Sequence, residues 1–483
     1  MNQGNAANQH TAEGKYRAER IARWNLAAEK PYALNWFSRY YHQQLEKAYK
    51  FLVPQGMRVL ELGCGFGDLL SSLKPQVGVG VDFSPKMIAT ARTLHPELRF
   101  LEMDVHDFQA DEPFDVIILS DLINDLWDVQ AVFRRVQRMC APHTRIVINT
   151  YSRLWQIPLI TAAELGLAKP SLEQNWFSLE DAQNLLYLSN FEVIRSWQEF
   201  LLPIPVPLIS SLFNRGLVRI PPFYWFALSN FILARPQLDQ RQQNFSVSVI
   251  VPARNEQGNI ENIYNRVPEM GAGTELVFVE GHSKDDTYQE IERQKEKHKH
   301  RTSILTRQPG IGKADAVREG FKAANGDIFM ILDADLTVPP EDLPRFYEAL
   351  VCGKGEFVNG VRLVYPMEKE SMRSLNFLGN KFFSLAFSWL LGQPVKDTLC
   401  VTKVLWKADY ERIAANRAYF GDFDPFGDFD LLFGAAKLGL KIVDLPIRYR
   451  ERVYGSTNIH RWKHGWLLLK MVLFAAARIK FRD

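Results

Sequence analysis

Apolar residues fall along the chain in short continuous runs. Each run is followed by a glycine- or acid-bearing turn, then by a stretch with apolar positions three and four apart. "RVLEL", "VGVGV" and "VIILS" are such runs in the first half, and "VSVIV", "ELVFV" and "IFMIL" in the second. A run that is apolar at nearly every position suits a strand covered on both faces, and the three-and-four spacing suits a helix packed on it. Strands alternating with helices predict an α/β protein of two doubly wound domains with parallel strands. The halves share no repeat, which points to fusion and not duplication. Between them "ARPQLDQRQQNF", residues 234–245, is polar and reads as a linker. The predicted domains are 1–233, with N-terminal helices and an apolar tail segment, and 246–483, ending in an amphipathic helix.

Length agrees with this division, since 483 residues exceed one ordinary hydrophobic core. Lys and Arg number 58 against 55 Asp and Glu, a net charge of +3. That balance gives no footprint for nucleic acid, so no nucleic-acid partner is expected. Cys64, Cys140, Cys352 and Cys400 are far apart and read as free thiols in a reducing cytosol. The N-terminal stretch lacks the apolar core of a signal peptide, and a cytoplasmic protein is expected. Phe200 to Asn214, Ile220 to Ala234 and Phe382 to Val395 are uncharged or nearly so, but none exceeds 15 residues. A spanning helix needs about 20. These segments read either as buried core or as stretches lying in a membrane surface. The C-terminal "HRWKHGWLLLKMVLFAAARIKFRD" mixes aromatic, aliphatic and basic residues in the pattern of an interfacial helix, which adds peripheral contact with the cytoplasmic membrane face as an expectation.

Candidate chemistry begins at "ELGCGFGDLL", where Gly63, Gly65 and Gly67 follow a strand and precede a helix. Glycines let the backbone turn tightly against a ligand, and the helix N-terminus behind them favours a polar or anionic group. The next strand, "VGVGVD", ends in Asp82, placed to bind ribose hydroxyls. Asp104 ends a third strand, and Ser120 and Asp121 end a fourth, all at the edge where open α/β sheets bind ligands. A nicotinamide dinucleotide is a competing ligand, but it pairs with GxGxxG spacing and not with the GxGxG found here.

Residues 35 to about 200 resemble the class I S-adenosylmethionine-dependent methyltransferases, on "ELGCGFG" with Glu61 and on "GVDFSPKMI". The resemblance implies a Rossmann-like fold that binds S-adenosylmethionine, with Asp82 on the ribose, Met87 over the adenine and Asp104 on its amino group. An oxygen acceptor would also require a general base, for which Asp121, Asp125 and His143 are candidates.

The second half carries a different constellation. "VIVPARNE" ends a strand in Pro252, Arg254 and Glu256, and "ELVFVEGHSKDD" ends the next in Glu280 and, beyond it, Asp285. "GIGKADAVREGF" is a glycine turn opening a helix, and "IFMILDADLTVPPEDL" ends a strand in Asp333 and Asp335. Two acids two residues apart on an extended chain point the same way. Their mutual repulsion makes a site for a hard divalent cation, Mg2+ or Mn2+, which can neutralise a diphosphate leaving group.

Residues 246 to about 460 resemble glycosyltransferase family 2, and within it the dolichol- and polyprenol-phosphate sugar synthases. The resemblance implies a GT-A fold and an inverting transfer from a nucleotide-diphosphate sugar. Pro252, Arg254, Glu256, Glu280 and Asp285 would border the nucleotide, with Asp333 beside them, while Arg452, Ser456 and Asn458 would face its phosphates. The sequence departs from the family where Glu280–Gly281 replaces two aspartates, Asn458 a lysine and Thr337 a glutamine. Transfer to a hydroxyl needs a base, for which Asp424 and Asp428 in "YFGDFDPFGDFDLLF" are candidates and Asp397 a further one. Transfer to a polyprenyl phosphate needs none. The sequence thus predicts a bifunctional enzyme acting on a lipid-linked or glycan acceptor, with methylation in glycan or glycolipid synthesis. The alternative is a glycosyltransferase whose methyltransferase-like half is a docking or cofactor-sensing module.

Overall fold

The computed structural model describes residues 12–29, 36–164, 172, 174–237, 244–362, 374–417, 428–450, 452, 454 and 461–481. The chain divides into two compact units, Met1–Gln237 and Leu238–Arg482.

The first unit is built on seven strands: β1 (Arg58–Leu62), β2 (Val77–Asp82), β3 (Arg99–Glu102), β4 (Phe114–Ser120), β5 (Cys140–Tyr151), β6 (Phe191–Glu199) and β7 (Ser229–Pro236). Their order across the sheet is β3-β2-β1-β4-β5-β7-β6. The continuous apolar runs form these strands because both faces are covered. Leu60, Leu62, Ile117 and Leu119 enter one core, while Val59, Val116 and Ile118 enter the core on the opposite face. This is the two-residue alternation of an extended chain.

The second unit repeats the principle with β8 (Val247–Ala253), β9 (Thr274–Glu280), β10 (Ser303–Arg307), β11 (Ile328–Ile331), β12 (Phe357–Val361), β13 (Lys403–Trp406) and β14 (Ile442–Pro446), in the order β10-β9-β8-β11-β13-β12-β14. Ile250, Val277 and Phe329 face one core, and Val249, Leu276 and Met330 face the other. The architecture is Rossmann-like in the first unit and GT-A in the second.

Three expectations need correction. The sheets are mixed, not all parallel: β7 runs antiparallel to β5 and β6, and β13 antiparallel to β11 and β12. A buried run carries no record of its direction, which its connections decide. The expected linker also starts too early. β7 continues through Ala234, Arg235 and Pro236, and the Arg235 guanidinium, fully buried, pairs with Glu192 at 2.7 Å. Finally, the apolar segments do not share one fate. Ser229 to Ala234 is a buried central strand, whereas Leu208, Leu212, Phe223, Trp225 and Phe226 are exposed. In the helix Ser374–Leu391, Phe387, Leu390 and Leu391 are buried, and Phe382, Leu385 and Trp389 face outward. Among the described residues no helix is long and apolar enough to cross a membrane.

Candidate active sites

In the first unit β1 feeds a loop in which Gly63, Gly65 and Gly67 take φ of +71°, +53° and +76°. A Cβ at Gly63 would strike Leu122 at 2.7 Å and one at Gly67 would strike Phe100 at 2.5 Å, whereas one at Gly65 would meet nothing within 4 Å. The loop is therefore packed at its ends and open in its middle. Asp82 ties it to the second strand: its carboxylate accepts hydrogen bonds from Gly65 N at 3.0 Å and Ser84 N at 2.9 Å. Burial raises the Asp82 carboxyl, and those two amides pull it back. Glu61 lies beneath the loop, buried, and accepts Leu70 N at 3.1 Å from the helix Asp68–Ser72. Burial pushes its carboxyl up to about 8. Its observed role is to tie the loop to the helix that follows. Met87 is buried in the helix Pro85–Leu94, whose N-cap is Ser84. The open middle of the loop and the adjoining carboxylate fit S-adenosylmethionine.

Asp104 is committed elsewhere. One oxygen contacts the His106 ring at 2.7 Å and its backbone N at 2.8 Å, and the other pairs with Arg17 at 3.2 Å. Burial raises the Asp104 carboxyl, but His106 and Arg17 outweigh this and hold it below the usual range. Arg17 belongs to the helix Ala12–Ala28, which also reaches Asp125 through Arg20 at 3.5 Å and Ser84 through Asn25 at 2.7 Å. The adenine role expected for Asp104 thus competes with an ion pair.

Ser120 ends β4, and nearby the Tyr49 hydroxyl donates to Asn149 Oδ1 at 2.6 Å. Next to Ser120, Asp121 takes φ of +51°, unusual for a side chain larger than glycine. Tyr41 donates to both of its oxygens at 3.0 and 3.1 Å, and Asn149 donates to the first. Burial still pushes its carboxyl up to about 7, against those hydrogen bonds. Asp125, in the turn Ile123–Asp125 after the same strand end, is instead paired with Arg20. His143 is exposed near the start of β5 and pairs with Asp115 at 3.2 Å, at the opposite edge. Tyr41 and Asn149 escaped the sequence reading because neither sits in a motif.

In the second unit Asp333 and Asp335 follow β11 directly. A cation meets each: Lys313 contacts Asp333 and Arg452 contacts Asp335. Thr337 donates to Asp335 from its backbone at 3.1 Å and its hydroxyl at 2.8 Å. Burial and the neighbouring Asp335 raise the Asp333 carboxyl, while Lys313 and Arg452 oppose them. Arg452 also lies 4.0 Å from Glu256, whose carboxyl burial pushes up to about 7. The helix Lys313–Ala323 brings Lys313 here because Gly320 lets it lie close to the sheet: a Cβ at Gly320 would meet Ile250 at 2.5 Å and Val279 at 3.1 Å.

Four of the remaining predicted residues lie on or just beyond β8 and β9. Pro252 is in β8, and Arg254 follows it, exposed. Glu280 ends β9, accepts Ser283 N at 2.6 Å and faces Arg307 at 3.8 Å. Asp285 accepts Thr287 N at 3.2 Å and Gln257 N at 3.4 Å, fastening the two loops. Asp397 is no base. It is buried, receives both Nε and Nη2 of Arg362 at 2.8 and 2.9 Å, and is held below the usual range because that pair outweighs burial. Asp424, Ser456 and Asn458 lie outside the described residues. Asp428 opens the helix Asp428–Lys437, but its side chain lies outside them too. Lys313 was missing from the sequence-derived site, although a lysine after a glycine turn at a helix start was a usable signal.

Among the described residues no three His, Cys, Asp or Glu side chains converge as a metal cage. Asp333 and Asp335 nonetheless fit a Mg2+-like ion, which is held by one or two carboxylates and takes its other ligands from phosphate and water.

Comparison with known proteins agrees with this division. Residues 54–192 match the family model for a methyltransferase domain, and residues 248–402 match that for glycosyl transferase family 2. The chain joins a methyltransferase domain to a glycosyltransferase family 2 domain, both of them transferase domains. A dolichol-phosphate mannosyltransferase from Pyrococcus furiosus is 38% identical over 109 residues, covering 22% of this chain and 30% of that protein. An undecaprenyl-phosphate 4-deoxy-4-formamido-L-arabinose transferase from Edwardsiella ictaluri is 32% identical over 107 residues, 21% of this chain and 33% of that one. A ubiquinone biosynthesis O-methyltransferase from Bradyrhizobium diazoefficiens is 35% identical over 109 residues, 21% of this chain and 42% of the other. The chain thus spans between 30% and 42% of the length of these relatives.

Proposed function

We propose that the chain is a bifunctional enzyme of glycolipid synthesis. Its second unit transfers a sugar from a nucleotide diphosphate to a polyprenyl phosphate, and its first unit methylates an acceptor with S-adenosylmethionine. The observation that carries the proposal is the convergence of Asp333 and Asp335 with Lys313 and Arg452 after β11. Two carboxylates face two cationic side chains there, and a divalent cation held by Asp333 and Asp335 would turn Lys313 and Arg452 toward a diphosphate. A bound Mg2+ or Mn2+ would neutralise charge on the leaving group. Lys313 and Arg452 would hold the phosphates, and Glu256, Glu280 and Asp285 would orient the nucleotide from the neighbouring strand ends. The similarity to two lipid-phosphate sugar transferases favours the lipid acceptor.

In the first unit the glycine loop and Asp82 would hold the cofactor, whose sulfonium carries an activated methyl group. Asp121 would take the proton of an acceptor hydroxyl, with Tyr41 and Asn149 fixing its orientation. Membrane contact would come from the C-terminal helix Arg461–Ala475 and its continuation, where Lys470 lies over Trp466 at 5.8 Å and Arg478 over Phe474 at 5.5 Å.

Calorimetric titration with a nucleoside diphosphate, with and without Mg2+, tests the second unit. Mg2+ should tighten binding, and Asp333→Asn should abolish that gain. Equal binding in all cases would count against the site.

A further inference from the structure

The first unit carries an apolar surface at the same edge of its sheet as the glycine loop, Asp82 and Asp121. Two excursions form it. One leaves β5 after Tyr151 and runs through the helix Gln156–Glu164. The other leaves β6 after Glu199 and returns to β7 at Ser229. Tyr151 and Glu199 both pair with Ser229, so both excursions start at the carboxyl edge of β5. They are stitched together: Ser152 N donates to Leu228 O at 2.7 Å, and the Trp155 indole donates to Phe226 O at 2.9 Å. The Tyr41 hydroxyl bonds both Asp121 and Ser229, which places the root of this surface beside the candidate base.

Its outer residues are of the wrong kind for water. Ile157 is 76% exposed, Leu208 87%, Trp225 59% and Phe226 58%, with Leu212 and Phe223 between them. Single exposed apolar side chains are ordinary, but a clustered set marks an interaction surface. Charge narrows the partner. No Asp or Glu occurs from Phe200 to Leu238, whereas the first excursion ends its helix in the exposed Glu164 and brings Asp181 near Arg153. Arg215 is exposed on the second excursion. The second excursion, with its aromatic and aliphatic side chains, an exposed arginine and no acid, is complementary to an anionic lipid surface.

We infer that this face of the methyltransferase unit lies on an anionic bilayer, and that its methyl acceptor is a membrane-resident lipid reached from that surface. The inference rests on the methyltransferase reading of the site and adds the source of the acceptor. It is separate from the C-terminal helix, which belongs to the second unit.

Flotation of the full chain with phosphatidylcholine vesicles, alone or mixed with phosphatidylglycerol, tests it. The parent should float with the mixed vesicles and not with phosphatidylcholine alone. The double variant Trp225→Ser, Phe226→Ser should lower the bound fraction by about tenfold, since binding scales with buried apolar area. A second measurement reads the face directly and tolerates failure of that variant to fold. Cys140 and Cys352 are replaced by Ser, and an environment-sensitive fluorophore is attached at Phe226→Cys. Its emission should shift to the blue with mixed vesicles. An unshifted label on a floating chain would overturn the inference, because another part of the molecule would then be the anchor. So would equal flotation with neutral vesicles. So would a label shift that depends on protein concentration without vesicles, which would make the face a contact between copies. Titration with S-adenosylmethionine in the absence of vesicles separates the two ideas: failure there defeats the methyltransferase reading, and a vesicle-dependent shift alongside it leaves only a membrane surface.

Discussion

At the scale of single residues, both candidate sites are arrangements of carboxylates whose charge the protein has had to manage. Glu61 shows the cost most clearly. Its carboxyl moves from the ordinary 4.5 to about 8 because it is buried, with one backbone amide as partner. A raised carboxyl binds its proton more tightly in the folded than in the unfolded chain. Its contribution to stability is therefore complete below pH 4.5 and is lost as pH rises toward 8. Glu61→Gln, which keeps the shape of the protonated acid, should remove that part of the pH dependence. Chemical denaturation of both proteins across this range checks it, and parallel curves would contradict it. Asp82 is the second residue-scale case. Asp82→Asn retains one acceptor oxygen for two amide donors and should weaken S-adenosylmethionine binding by about 10–100-fold, as measured by calorimetry. Unchanged affinity would remove Asp82 from the cofactor site.

At the scale of elements, short glycine-mediated contacts decide where the charged groups end up. Gly320 allows the helix Lys313–Ala323 to approach β8 and β9, and that approach carries Lys313 to Asp333. Gly320→Val would force its side chain against Ile250 and Val279 and should destabilise the second unit by about 1–3 kcal/mol. Urea unfolding would show it, and an unaltered midpoint would mean that the helix has slack the contacts do not suggest. The same elements explain what could be read from sequence. The glycine loop with Asp82, and the acids Asp333 and Asp335 after an apolar run, are local patterns, legible without a fold. The partners are not local: Lys313 is 20 residues from Asp333, Arg452 is 117 from Asp335, and Tyr41 is 80 from Asp121. Only the topology brings them together. Strand direction escaped for a related reason. β7 and β13 are buried like the parallel strands of their sheets, and burial does not say which way a run is laid. Asp397 misled because a buried acid paired with a distant arginine looks, in sequence, like any acid available for chemistry.

At the scale of the whole molecule, one chain holds two transferase domains. Each unit has its own sheet, its own pair of cores and its own ligand edge, so loss of one chemistry should leave the other intact. Asp82→Asn should therefore spare sugar transfer. The central claim is that the second unit moves a sugar onto a lipid phosphate through Asp333 and Asp335. The most direct test incubates the full chain with a labelled nucleotide sugar, a polyprenyl phosphate and Mn2+, and counts label in the organic phase. The parent should place label there, and Asp335→Asn should lower it by about a hundredfold or more, as expected if Asp335 holds the proposed metal. Label confined to water-soluble material, or undiminished in Asp335→Asn, would contradict the account.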